Sequence, residues 1–130
     1  MISAALMCLA LNVYHEARSE PLQGQAAVAH VVLNRVASGR WPDDVCSVVH
    51  QGYEKGRCKG QFTWYCDGKP DEPTEILAWA KSVLVANQVL TGVVPDVTNG
   101  ATHYHARYVN PYWSASLSKT VTYGSHLFYR

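Results

Sequence analysis

Asn12-Val-Tyr-His-Glu-Ala-Arg-Ser-Glu-Pro-Leu-Gln-Gly-Gln25 runs straight into an apolar segment, 26–36, and its reading decides how the chain folds. Upstream of it, Ile2, Leu6, Leu9 and Val13 recur at helical spacing and predict one inward stripe on a helix over 2–18. Three residues beyond Val13, that stripe reaches Glu16. A carboxylate on the core-facing side of a helix is unusual, because ionised groups are costly to bury without partners. Ser19-Glu20-Pro21 predicts the helix end, since the residue before proline is pushed out of the α region. Glu16 then falls in or near the last turn, where the negative end of the helix dipole disfavours ionisation. Partial burial pushes the same way. Together they predict a carboxyl that keeps its proton near neutral pH, as a general acid requires. The plainer reading is a solvated glutamate, or one paired with Arg18 or Arg35, and position alone leaves both open.

Downstream, the turn Pro21-Leu-Gln-Gly24 leads into a second helix over 23–38. Its run Ala26-Ala-Val-Ala-His-Val-Val-Leu33 is apolar nearly all round, which predicts a central helix with His30 as a satisfied core histidine. Gly39 ends it. Trp41-Pro42-Asp43-Asp44 predicts a third helix, capped by Asp43 or Pro42 and running to about 51. The stretch 52–71 reads as a long loop with Gln61-Phe-Thr-Trp64 as a small strand inside it. Pro73-Thr-Glu75 opens a fourth helix that runs to about Leu90 and exposes Glu75, Lys81 and Gln88. Beyond 93, β-branched and aromatic residues in 98–105 and 119–129 predict short strands packed on the helices. The expected architecture is α+β and mostly helical, one domain over 1–130 with a few short strands in its C-terminal third.

Composition narrows the function classes. Hydrophobic residues make up 48% and charged residues 16%, which suits a compact core with little disorder. A net charge of +1, with no basic run, argues against a nucleic-acid partner or an electrostatically held membrane surface. The apolar start of the chain lacks a basic segment and a cleavage site, and is shorter than the roughly 20 residues that span a bilayer. It reads as a core helix, not an export signal. Cys8 and Cys46 lie on apolar faces and are expected to be buried thiols. Cys58 and Cys66 flank a polar loop and would bridge in an oxidising compartment. None has C-x-x-C spacing, so no structural zinc site is expected.

Several separated segments together resemble the cell-wall hydrolase family of the SleB and CwlJ spore cortex-lytic type. They are His15-Glu-Ala-Arg-Ser-Glu-Pro-Leu-Gln-Gly-Gln-Ala-Ala-Val-Ala29 with Val32-Leu-Asn-Arg-Val36, then Trp41-Pro42, Gln61-Phe62-Thr63, Gly100-Ala-Thr-His-Tyr104 and Gly124-Ser-His-Leu-Phe128. Each is weak alone, and their shared order is specific. His15 and Ser19 stand where the family often has glycine, and neither change removes a chemical group. The resemblance implies a lysozyme-like, lytic-transglycosylase-like domain that cleaves peptidoglycan between N-acetylmuramic acid and N-acetylglucosamine. It places the family's essential glutamate on Glu16.

In that chemistry one glutamate serves twice. Protonated Glu16 gives its proton to the glycosidic oxygen. The carboxylate then takes a proton from the muramic acid O6 hydroxyl as it attacks C1 and closes a 1,6-anhydro ring. No metal and no cofactor are expected. Thr63 and Tyr104 are the candidates for stabilising developing charge or positioning the sugar. Gln25, Gln61, Phe62, Trp64, His103, His105 and Trp113 are the expected substrate-binding residues. Glu20 joins them, with a structural role in the turn favoured over a catalytic one. A hydrolytic muramidase would instead use Glu16 and Glu20 as a pair, about 5 to 9.5 Å apart.

Two further readings stand beside these. His103 and His105, with His15 or His126, would ligate zinc in an amidase or peptidase. Trp41, Trp64, Tyr65 and Trp113 would form the platform of a glycan-binding module without catalysis. The expected partner in the enzymatic reading is the peptidoglycan glycan strand, met by a monomer. With no export signal, a phage endolysin released through a holin is one expected route to the wall.

Overall fold

The computed structural model describes residues 2–130 except 52, 55–56 and 59–61; for 53–54, 57–58, 63 and 66 it describes the backbone alone. Helix α1 spans Ala4–Ala17 and starts where the Ser3 side chain accepts from the Leu6 amide at 3.2 Å. Leu9 and Val13 are fully buried, but Ile2 precedes the helix and is 42% exposed, so the inward stripe begins later than its spacing suggests. Helix α2, Leu22–Ser38, is buried without a break from Gly24 to Val32 and ends at Gly39 with φ 80°. It is the central helix. Short α3, Val45–Val49, is capped by Asp44, whose Oδ1 accepts from the Ser47 amide at 2.9 Å. The cap is thus Asp44, not Asp43 or Pro42, and the helix is shorter than the apolar pattern implies. Helix α4, Ile76–Leu90, packs on α1 and α2, and its Gln88 is half-buried, not exposed.

The stretch from 52 is not wholly loop. Strands β1, Tyr53–Glu54, and β2, Arg57–Cys58, pair antiparallel as a small ribbon. Around Phe62 the expected strand is instead a 3₁₀ turn over Thr63–Cys66. The turn wins because it sends both Phe62 and Trp64 inward, where Trp64 Nε1 donates to the buried Asn12 Oδ1 at 2.9 Å. The C-terminal third forms a three-stranded antiparallel sheet of β3, His103–Ala106, β4, Lys119–Tyr123, and β5, His126–Tyr129, with β5 in the middle. Its register pairs Tyr104 with Phe128 and His105 with Leu127. A second 3₁₀ turn, Tyr112–Ser116, lies between β3 and β4. The domain is therefore mostly helical, with short antiparallel strands at its C-terminal end. Among the described residues no helix is long and apolar enough to cross a membrane.

Two readings of buried groups need correction. Cys8 and Cys46 are not thiols: they form a disulfide between α1 and α3, with their Cα atoms 5.3 Å apart. The apolar faces that suggested burial are the faces that pack α3 on α1, and that packing brings the two sulfurs together. His30 is in the core as expected, but its Nε2 has no hydrogen-bond partner among the described residues, so it is only partly satisfied. The side chains of Cys58 and Cys66 lie outside the described residues.

Candidate active site

Helix α2 positions the sheet through consecutive polar side chains. Asn34 Nδ2 donates to Asp96 Oδ2 at 3.0 Å and to the Ala101 carbonyl at 2.9 Å, and Arg35 Nε donates to the Thr102 carbonyl at 2.7 Å. Asp96 also accepts from the Thr98 and Gly100 amides, which folds the approach to β3 into a fixed loop. These contacts give Val32-Leu-Asn-Arg-Val36 a physical purpose. They hold the strand that carries Tyr104 against α2.

Tyr104 is buried, and its hydroxyl donates to Glu16 Oε1 at 2.5 Å. Glu16 sits in the last turn of α1, partly buried. Burial raises its pKa above the ordinary carboxylate value, and the Tyr104 hydrogen bond only partly opposes that. The Tyr104 phenol is itself held well above its usual value, by burial and then by Glu16, so it stays a donor. Beneath them Arg35 packs over the Trp41 and Phe62 rings, with burial lowering its pKa to about 10. It remains charged at neutral pH. Neither Arg18 nor Arg35 neutralises Glu16: Arg18 Nε pairs with Glu75 Oε2 at 2.5 Å, and Arg35 Nε serves the strand.

Glu16 lies where surface hollows meet. One, of about 460 Å³, is bounded by Glu16, Tyr104, His105, Tyr108, Trp113 and His126. Another, of about 490 Å³, is bounded by His15, Glu16, Arg18, Ser19 and Glu75. A third continues past His15 to Trp64 and Asp71. His15 is fixed at the junction, its ring stacked on Trp64 at 4.6 Å and its Nε2 2.8 Å from the Asp71 carbonyl. An extended ligand can therefore pass on both sides of the Glu16 carboxyl.

Glu20 is placed quite differently. Its Oε1 accepts from the Ser125 amide and its Oε2 from the Ser125 hydroxyl, both at 2.8 Å. Burial pushes its pKa up, but the two Ser125 hydrogen bonds, with His126 and Arg107 nearby, outweigh it and hold the group below its ordinary value. The helix ends at Ala17, so the one-turn spacing that would set both glutamates on one side of a bond does not apply. Glu20 is an anion committed to the β4–β5 turn.

That turn depends on Gly124, which has φ +55° and where an added Cβ would overlap Glu20 Oε1 and approach Pro21 Cδ to 2.9 Å. Gly124→Ala is expected to cost about 2–3 kcal/mol, from left-handed strain and the weakened Ser125 clamp. Chemical denaturation followed by circular dichroism measures it, and a loss under half a kcal/mol would mean that the turn adjusts freely.

The remaining expected binding residues divide. Trp113 and His105 line the hollow beside Glu16, while Trp64 lines the one beyond His15. Gln25 is 3% exposed and donates inward to the Glu20 carbonyl at 3.1 Å, and Phe62 is 2% exposed, so both serve the core and not the groove. His103 is wedged between Trp41 and Trp113, behind Tyr104 on the strand. Gln61 and the Thr63 side chain lie outside the described residues. The imidazoles of the zinc reading are dispersed: His105 Nε2 meets the Tyr129 hydroxyl, His103 Nδ1 meets Thr102 Oγ1, and His15 meets Asp71. Among the described residues no group of three or more metal-ligating side chains converges. Of the four rings of the binding-module reading, Trp41 packs on Arg35 and Arg40 and Tyr65 stacks on His50, while Trp64 and Trp113 line separate hollows. Sequence reasoning gave no site role to Ser125 and named His126 only as an alternative zinc ligand, although both lie in the Gly-x-His-x-Phe segment.

The family model described as Cell Wall Hydrolase matches residues 19–129, most of the chain. The chain belongs to the cell wall hydrolase family. Among curated relatives, the spore cortex-lytic enzyme of Halalkalibacterium halodurans is 34% identical over 128 residues, covering 95% of this chain and 34% of that protein. That alignment leaves too few residues out to omit Glu16. The spore cortex-lytic enzyme of Bacillus subtilis is 49% identical over a shorter stretch of 43 residues. This cell wall hydrolase thus spans about a third of the length of the first relative. Two solved structures share the fold. The catalytic domain of the Bacillus cereus SleB protein has a TM-score of 0.77 at 28% identity, over 97% of this chain and 89% of that one. The catalytic domain of the germination-specific lytic transglycosylase SleB from Bacillus anthracis has a TM-score of 0.78 at 27% identity, over 100% and 97%.

Proposed function

We propose that this cell wall hydrolase is a catalytic domain that cleaves the peptidoglycan glycan strand between N-acetylmuramic acid and N-acetylglucosamine, as a lytic transglycosylase. The observation that carries the proposal is the contrast between the two glutamates. Glu16 stands at the meeting of the hollows with a raised pKa, while Glu20 is anionic with both oxygens occupied by Ser125. Of this pair Glu16 alone is available, which suits chemistry in which a single group is acid and then base. It does not suit the two-carboxylate muramidase, which needs a second group flanking the bond.

Protonated Glu16 donates to the glycosidic oxygen as the C1–O bond breaks. The carboxylate left behind is stabilised by the Tyr104 hydroxyl already aimed at it. It accepts the proton of the muramic acid O6 hydroxyl as that oxygen bonds to C1, which returns Glu16 to its starting state. Trp113 and His105 on one side, and His15 with Trp64 on the other, offer faces and polar edges to the sugars. The names of the relatives support the spore cortex as the form of peptidoglycan attacked. The phage-lysin route draws no support from them.

Mass spectrometry of fragments released from purified peptidoglycan tests this. Ends in 1,6-anhydro-muramic acid are expected. Reducing muramic ends, heavier by one water, would make the protein a muramidase, and free stem peptides from intact strands would overturn glycan cleavage altogether.

A further inference from the structure

The hollow that Glu16 lines is also lined by a ring that the reaction above does not use. His126 opens β5, is 9% exposed, and lies 5.0 Å from the Tyr104 ring and 6.3 Å from that of Phe128. Its Nδ1 is sealed from solvent with no hydrogen-bond partner among the described residues, and Glu20 Oε1 stands 3.9 Å away. A buried nitrogen without a partner is a standing cost to the fold. Plain packing would be served better by a carbon ring. Glu20 cannot swing to other work, because Ser125 holds both its oxygens. One two-residue step of the chain therefore both fixes the carboxylate and sets the imidazole beside it. An anion on the Nδ1 side favours the tautomer with its proton on Nδ1, which leaves Nε2 an acceptor.

We propose that His126 is a second substrate-contacting residue of this site, its Nε2 accepting a hydrogen bond from a hydroxyl of the sugar held between it and Glu16. Glu20 acts through it, as the positioning residue that fixes the tautomer. This rests on the glycan-cleaving function proposed above. No proton is transferred to His126: it orients the hydroxyl, and Glu16 remains the acid and base. The groups that face the ring are Glu20, with Arg107 close to it, Tyr104 and His105 on β3, and Glu16 in the same hollow. Burial lowers the His126 pKa, Glu20 raises it and His105 lowers it again, leaving it below the ordinary histidine value. The ring is then neutral at pH 7, and activity is lost as pH falls and the imidazolium turns Nε2 from acceptor to donor.

His126→Phe and His126→Gln in the full chain, assayed on soluble glycan chains freed of stem peptides, test the inference. The phenylalanine variant keeps the ring packing and removes the orphaned nitrogen. Its Tm is expected to equal or exceed that of the wild type, while kcat/KM falls at least tenfold and the inflection on the acid side of its pH profile disappears. The glutamine variant, which keeps an acceptor, is expected to recover part of that rate without the inflection. A phenylalanine variant with wild-type kcat/KM and an unchanged acid limb would overturn the inference. So would one that loses Tm and activity together with no rescue by glutamine, which is the signature of a structural ring. Wild-type protein that releases no glycan fragments would instead sink the proposed function, so the two failures are distinguishable.

Discussion

Glu16→Gln is expected to lower glycan release on the order of a thousandfold and to leave the fold intact. The magnitude follows from removing a general acid that also acts as the base, a contribution of roughly 10²- to 10⁴-fold in enzymes of this kind. The fold survives because the amide matches the carboxyl in shape and its oxygen can still accept the Tyr104 hydroxyl. The pH dependence carries the sharper signature. The folded-state pKa of Glu16 is raised by burial, so activity that needs the protonated form declines as pH rises through that raised value. Stability runs the same way. A carboxyl with a raised folded pKa favours the native state below its unfolded value, and that advantage is lost as pH rises through the folded one. The glutamine variant, which has no charge to bury, is expected to match the wild type in melting temperature near pH 4 and to exceed it near pH 8. Parallel melting curves at the two pH values check this. A variant no more stable than the wild type at pH 8 would mean that Glu16 ionises at no cost and is no general acid.

The second large effect is on stability. Removing the Cys8–Cys46 bridge, as Cys8→Ala with Cys46→Ala, is expected to cost about 4 kcal/mol by the chain-entropy relation for its separation of 38 residues. For a domain of this size that lowers Tm by roughly 10–15 °C. The bridge fastens α3 to α1 where α3 has only five helical residues and little to hold it by propensity. Thermal melts of the double variant beside the wild type measure the loss. A shift below about 3 °C would mean that the apolar packing of Val45, Val48 and Val49 is sufficient on its own.

The helical part of this architecture was legible because its signals are local. Periodicity, the Ser-Glu-Pro stop and Gly39 place α1 and α2 to within a residue or two, and Glu16 lands at the helix end by the same count. The Cys8–Cys46 bridge was illegible because it depends on how two helices cross, which no single stretch encodes. Glu20 shows the same limit within the site. The muramidase reading paired it with Glu16, but its carboxylate is decided by Ser125, a residue 105 positions away. The 3₁₀ turn at Thr63–Cys66 defeats pattern reading in another way, since an aromatic at every second residue mimics a strand while both rings seek the core. His126 was visible only as part of a segment and as an alternative zinc ligand. Its tie to Glu20 required the sheet.

The middle strand of that sheet, β5, follows both its neighbours along the chain. A ribosome making this protein delivers α1 with Glu16 first, then β3 and β4, which are bonded through β5 and not to each other. Until β5 emerges, Tyr104 lacks its cross-strand neighbour Phe128 and Glu20 lacks Ser125. The nascent chain therefore carries its acid long before it has a groove to put it in. The groove is complete only once β5 joins the sheet, and a proteolytic nick at the β4–β5 turn would undo it.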